Sequence, residues 1–224
     1  MKLNMPHKFS PSSLGLLKDC PHCFWLHFNK NIKRPDSIFP SLPSGMDRIL
    51  KEHFDRFMKK GLLPPELSKL TGYRLFDDET LLKQWRSNFK GIQWADSKGN
   101  LFRGAIDNLL VKGKKMVVLD YKTRGYPLKE DTAEHYQDQM DIYNFLLRKN
   151  GYETEDYTYL IFYHPHKIED NGHVCFNTDL VKIAVNIKNA ERIFNEAVKC
   201  LENDMPQSSE ECGFCEWADN AKSL

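Results

Sequence analysis

The chain has 224 residues, 41% hydrophobic and 28% charged, enough to bury a core without disulfide staples and too apolar for a disordered chain. Lys and Arg number 32 against 31 Asp and Glu, a formal net charge of +1, which excludes a bulk polycation and a strongly acidic mimic but leaves room for a local basic patch. No run of about 18 apolar residues marks a membrane span, and neither a secretory signal nor a lipidation motif is visible. The expected location is therefore the cytoplasm, where the six cysteines are reduced or metal-bound rather than disulfide-paired.

Ser10-Pro11-Ser12-Ser13 caps a short helix towards Leu17, followed by Cys20-Pro21-His22-Cys23 and the aromatic pair Phe24-Trp25. Pro35, Pro40 and Pro43 make the stretch from Asn31 to Pro43 an extended connector. Ser44 opens a helix through Lys60, with Met46, Ile49, Leu50, Phe54, Phe57 and Met58 at helical spacing. Gly61 and Pro64-Pro65 stop it, and a further helix is expected over Asp78 to Phe89. The period then changes: Ile92 to Ala95, Leu101 to Val111 and Lys115 to Lys122 read as strands, with Lys112-Gly113-Lys114 as a hairpin turn. Thr132 to Asn150 reads as a helix, Thr158 to His164 as a strand, His173 to Phe176 as a short strand and Asp179 to Leu201 as a long amphipathic helix. The last twenty residues read as irregular. Helices, a strand meander, a helix, a strand and a helix give an α/β (α+β) fold with a mixed sheet, in one domain over 1–224.

Chemistry concentrates on the hairpin. Asp107 lies six residues before Gly113 and Asp120 seven after it, so their side chains converge at one end of the sheet. Both interrupt apolar strands, where a carboxylate is costly unless paired or metal-bound. Two close carboxylates repel, and a hard divalent cation relieves the repulsion. Asp120 and Lys122 share a strand face. The set reads as a Mg²⁺ or Mn²⁺ site with Lys122 positioning water or stabilising charge; a surface Asp–Lys pair at a strand end is the alternative. On the next helix Tyr136, Gln139, Met140, Tyr143 and Leu147 form one stripe. Gln139 and Tyr143 are one turn apart and can address the same group, or Gln139 is a satisfied core amide.

Cys20-x-x-Cys23 and Cys212-x-x-Cys215 pair across almost the whole chain and offer four thiolates to one centre, zinc or [4Fe–4S]. Cys175 and Cys200 lack such spacing.

Taken together, Gly104 to Asp107, Asp120 to Lys122 and Gln139 to Tyr143 resemble the G-x-x-D, (D/E)-x-K and Q-x-x-x-Y motifs of the PD-(D/E)XK nuclease superfamily in its RecB-like branch. The opening Phe9-Ser10-Pro11-Ser12-Ser13-Leu14 is similar to that branch's N-terminal helix. The resemblance implies a restriction-endonuclease-like core over 91–165, metal ligation by Asp107, Asp120 and the Tyr121 carbonyl, and Lys122 as the catalytic lysine. Gln139 and Tyr143 would hold the DNA backbone and the site geometry. The branch also carries a histidine on the upstream helix; Ile49 stands at the usual offset, which leaves Glu52 and His53 as the nearby candidates. AddB-type and CRISPR-associated relatives carry a [4Fe–4S] cluster on one N-terminal and three C-terminal cysteines. Here the last of these is missing and Cys23 would replace it, which keeps zinc open. Segments 9–30 and 205–217 would join the two ends at that centre.

The implied activity is a metal-dependent deoxyribonuclease, an exonuclease on single-stranded DNA or DNA ends, acting in repair, recombination or CRISPR adaptation with protein partners from those systems. The competing expectation is a nucleic-acid-binding accessory module whose nuclease activity depends on a partner. From Arg103 to Lys129 there are seven basic residues against two acids, Asp107 and Asp120. That local excess suits a phosphate backbone.

Overall fold

The computed structural model describes residues 6–223. A short strand β1 (Lys8–Phe9) leads into α1 (Pro11–Asp19), whose N-cap Ser10 exchanges hydrogen bonds with Ser13 in a capping box, with proline at the first helical position. Cys20 ends α1 and caps α2 (Pro21–Lys30), a helix not expected from the sequence, where a second proline again starts a turn. Asn31, at φ 54°, closes α2 in the left-handed region. The chain is extended only as far as residue 40, because α3 (Ser41–Met58) starts ahead of Pro43 and takes that proline into its first turn.

β2 (Tyr73–Leu75) and α4 (Glu79–Trp85) follow, with Asp78 accepting from Leu81 N as the α4 cap. The expected single strand from Leu101 to Val111 is two: β4 (Leu101–Gly104) and β5 (Asn108–Lys112). Residues 105–107 leave the strand because their backbone is recruited by α4. Ile106 N donates to Trp85 O at 3.0 Å, and Arg86 Nε donates to the carbonyl of Asp107 at 2.7 Å. The two halves join different sheets. β3 (Ile92–Ala95) and β1 flank β4 in a three-stranded sheet. β5 enters a five-stranded sheet of order β2-β5-β6-β7-β8, containing β6 (Lys115–Thr123), β7 (Tyr157–Ile168) and β8 (Val174–Ala184). β6 pairs antiparallel with β5 through the Gly113 turn and parallel with β7. The parallel step requires a crossover, supplied by α5 (Gln137–Lys149).

The long C-terminal helix is shorter than its apolar spacing suggests. Residues 174–184 pair along β7, with His164 bonded across the ladder to Asp179 at 3.0 Å. The helix, α6, runs Ile187–Glu202 behind the cap Asn186. A twelve-residue β7 exposes a row of backbone groups, and pairing those outweighs helical propensity in 179–184. α7 (Gly213–Lys222) forms where irregular chain was expected, starting at Cys212.

The core is aromatic. Phe9, Phe24, Phe54, Phe102 and Phe162 are fully buried, and Phe194 of α6 packs edge-on to Phe9 and against Phe102, with ring centroids 5.5 and 5.1 Å apart. β6 is buried along most of its length, as expected of a central strand covered on both faces. The fold is a mixed sheet flanked by helices. No described helix is long and apolar enough to cross a membrane.

Candidate active site and four-cysteine centre

The β5–β6 register pairs Asn108 with Leu119. Asp107, one residue ahead of β5, therefore stands beside Asp120 at the end of the hairpin away from its turn. Asp107 Oδ2 lies 3.4 Å from Tyr121 N, which donates to it. Lys122 Nζ lies 2.5 Å from Asp120 Oδ2 and donates to Gln139 Oε1 at 2.9 Å, while Gln139 Nε2 donates to the Tyr143 hydroxyl at 2.7 Å. The ring of Tyr136 lies 4.6 Å below the Lys122 ammonium. One chain of contacts thus links strand, carboxylate, lysine and α5.

Asp120 is 1% exposed. Burial pushes its carboxyl up to about 7, Lys122 opposes that, and the nearby Asp107 adds to it. Its Oδ2 is held by the Lys122 ammonium. Two neighbouring carboxylates, one of them buried with a single ammonium against it, suit a hard cation. On this observation the residues fit a divalent metal. Tyr121 is also fixed: its hydroxyl accepts from Asn108 Nδ2 at 2.7 Å, and its ring packs on Phe54 at 4.6 Å.

The structure does not bring His53 to the carboxylates. His53 Nε2 pairs with Glu66 at 3.0 Å, and Glu66 also accepts from the Tyr163 hydroxyl at 3.1 Å. The α3 residue that reaches the site is Lys51, whose Nζ lies 3.0 Å from Asp107 Oδ1 and 2.8 Å from Asp47. Two residues apart on a helix lie about 200° apart around its axis, so Lys51 and His53 cannot share a face. Glu52 bonds to Arg48 on the exposed side. Asp55, one turn beyond Lys51, receives both terminal nitrogens of Arg86 at 2.8 and 2.9 Å, and the same guanidinium holds the Asp107 carbonyl. Sequence reasoning missed Asp47, Lys51, Asp55 and Arg86. The first three form an i, i+4, i+8 polar row on α3, the same signal as that of a solvated face carrying ion pairs, and Arg86 ends α4.

A cavity of about 400 Å³ opens beside Gln139 and Tyr143 and is lined also by Ser10, Ser12, Arg103 and Gly104. The N-terminus of α1 faces it.

The second centre is Cys20, Cys23, Cys212 and Cys215, whose sulfurs all lie within 4.8 Å of one another. Cys20–Cys215, Cys23–Cys212 and Cys23–Cys215 are 3.9, 3.7 and 3.5 Å apart. Among the described residues this is the one group of three or more Cys, His, Asp or Glu side chains close enough to share a metal ion. Arg34 donates to Cys212 Sγ at 3.5 Å and stacks over Phe214 at 4.7 Å. Burial pushes Cys20 up, but hydrogen bonds from the Cys23 and Ser209 backbone outweigh it and bring the thiol down to about 6. Cys212 is likewise lowered by its hydrogen bonds, whereas burial pushes Cys23 and Cys215 up; four converging sulfurs suit a metal or an iron–sulfur group. Cys200 packs against the main core and Cys175 lies on β8, both away from the centre.

A search of curated proteins finds no match to this chain. The family model described as the PD-(D/E)XK nuclease superfamily matches residues 8–219. That match takes in both cysteine pairs and every residue of the hairpin site. Superfamily members are metal-dependent nucleases, and the buried Asp120 carboxylate beside Asp107 and Lys122 is what such chemistry asks of a fold: the chain belongs to the PD-(D/E)XK nuclease superfamily.

Proposed function

We propose that the protein is a Mg²⁺- or Mn²⁺-dependent deoxyribonuclease of the RecB-like branch, an exonuclease on single-stranded DNA or DNA ends in repair, recombination or CRISPR adaptation. The observation that carries this reading is the fully buried Asp120 carboxylate, flanked by the second carboxylate of Asp107 and held by the Lys122 ammonium. Asp107, Asp120 and the Tyr121 carbonyl would hold the cation. A divalent ion there supplies Lewis acidity, lowering the pKa of water and taking up phosphate charge. Lys122 holds its ammonium at the carboxylate edge, where it orients the attacking water and meets charge developing on the phosphoryl oxygens. Gln139 fixes that ammonium, and Tyr143 fixes Gln139. Arg103, Ser12 and the α1 N-terminus line the cavity beside Gln139 and Tyr143, where a guanidinium and backbone donors suit a phosphate of the substrate strand.

Lys122→Ala should lower Mg²⁺- or Mn²⁺-dependent cleavage by about 10²-fold or more, with the folded far-UV spectrum retained. Undiminished cleavage by the folded variant would remove Lys122 from the mechanism. Linear against circular single strands test the exonuclease reading, since an end-requiring enzyme leaves circles intact.

Of the two groups open to the four cysteines, the sulfur spacing favours a single ion. Four sulfurs at about 2.3 Å from one tetrahedral zinc stand about 3.8 Å apart; three of the six pairs here stand at 3.5 to 3.9 Å and all six within 4.8 Å. A cubane puts each thiolate on a different iron, so its sulfurs are separated by the inorganic core and diverging bonds, beyond 4.8 Å. We read the centre as structural zinc. Colourless, anaerobically purified protein with one zinc per chain is the expected result; a broad visible absorption bleached by reductant would assign the cluster instead.

A further inference from the structure

A nuclease site built on two carboxylates has a choice of counter-charge. Asp107 and Asp120 are both nearly enclosed, with Asp107 at 18% and Asp120 at 2% side-chain exposure. A second divalent ion beside the first needs further carboxylate or imidazole donors, because hard cations are held by several oxygen or nitrogen ligands each. Among the described residues no third Asp, Glu or His stands with Asp107 and Asp120 as a metal-binding group, and His53 is engaged by Glu66. The third corner is occupied by a side-chain cation. Lys51 leaves α3 one turn after Asp47, its stem is largely covered at 22% exposure, and its ammonium bridges Asp47 Oδ2 and Asp107 Oδ1. Asp107 is thus divided: Oδ1 faces Lys51, and Oδ2 faces Tyr121 N and the β6 side of the site.

We propose that Lys51 is the fixed cation of this site, standing where a second divalent ion would neutralise Asp107, so that the centre takes one divalent ion rather than two. This rests on the metal-dependent nuclease reading of Asp107 and Asp120. Asp47 is then a positioning residue, holding Lys51 through an i, i+4 pair. Lys51 carries a positive charge at the far oxygen of Asp107 from the start of the reaction, when water oxygen attacks phosphorus and gives up its proton to solvent, and the electron pair of the breaking P–O bond passes to the leaving oxygen, which takes a proton from solvent. A preorganised ammonium costs no reorganisation at that moment. Because two like charges on one carboxylate oppose each other, Lys51 also weakens the grip of Asp107 on the ion it shares.

The test is Mn²⁺ binding, followed by the electron paramagnetic resonance of free Mn²⁺, on full-length protein with its four-cysteine centre loaded. Wild type should bind one Mn²⁺ per chain with high affinity. Lys51→Met should bind the same single ion about tenfold more tightly, since a unit positive charge on the other oxygen of the shared carboxylate, about 6 Å away at an effective dielectric of about 20, is worth that much or more, yet should turn over DNA more slowly. Lys51→Arg, which keeps the charge, should keep the wild-type affinity and guards against misfolding of the Met variant. Two tight Mn²⁺ ions per wild-type chain, or an affinity in Lys51→Met equal to or weaker than wild type, would overturn the proposal and leave Lys51 a structural pair. Asp120→Ala separates the two readings: retained Mn²⁺ binding in that variant would defeat the metal site itself, whatever Lys51 does.

Discussion

Gly104 shows at one position how tightly the site is built. A Cβ placed there would lie 2.8 Å from two ring carbons of Tyr143 and 3.1 Å from a methyl of Leu146. The glycine of the G-x-x-D motif is therefore a packing requirement: α5 approaches β4 so closely that its tyrosine ring covers the backbone. Gly104→Ala should force that ring away and cost about 1–3 kcal/mol, the usual range for overpacking, read as a lower urea midpoint. Tyr143 is joined through Gln139 to Lys122, so the same variant should also lose turnover beyond its stability loss at temperatures where it remains folded. A stable but fully active Gly104→Ala would mean that the Tyr143 ring position does not matter to Lys122.

At the scale of elements, α1, α5 and α6 meet at Asp138. Its carboxyl is pushed up by burial, but the Asn189 amide and the Lys18 ammonium, at 2.9 and 3.0 Å, outweigh that and hold it below the usual carboxylate range. A folded pKa below the unfolded value contributes stability that is full above about pH 4 and fades as pH falls through the folded pKa. Asp138→Asn should thus lower stability at pH 7 by no more than about 1 kcal/mol, given the solvent screening of a side chain that is 34% exposed. The gap should close towards pH 3, as thermal melts across pH will show. The elements also mark what a sequence can disclose. The β5–β6 hairpin was legible because two continuous apolar runs flank the turn residues Lys112-Gly113-Lys114, and from it follows the meeting of Asp107 with Asp120. The break at 105–107 was not legible, because α4, far off in the chain, takes up the backbone there. Only the start of β8 was legible, as the short strand from His173 to Phe176, since residues 179–184 have helical spacing and only the long β7 beside them decides the outcome. Lys51 was hidden because a row of charges on a helix looks the same whether it faces water or a carboxylate.

On the scale of the whole molecule, the four cysteines close a loop from Cys23 to Cys215, 192 residues apart in the chain. Around them the ends are knitted by single contacts: Trp25 donates to Asn203 O at 3.0 Å, His22 Nδ1 meets Pro206 O at 2.9 Å, and Asn29 donates to Leu201 O at 3.2 Å. No α7 residue is fully buried, so its own apolar contacts are few and the thiolate centre is what anchors it. A metal held by four thiolates binds the folded state and not the unfolded one, so its binding energy is added to folding. Stripping the centre with a strong chelator, or replacing Cys23 by Ser, should therefore cost about 3–5 kcal/mol, the range of a cross-link closing a loop this long. The losses should not add, since each removes the same staple. Hydrogen exchange should locate the damage: amides of α7 and α2 should open first, while those of β6 and α5, buried in the main core, should stay protected. Because the hairpin site draws its geometry from β6, α5 and α3 and not from the cysteine ends, stripped protein that is still folded at low temperature should keep its Mn²⁺ affinity. A parallel loss of Mn²⁺ binding would mean instead that the staple holds the nuclease site in shape.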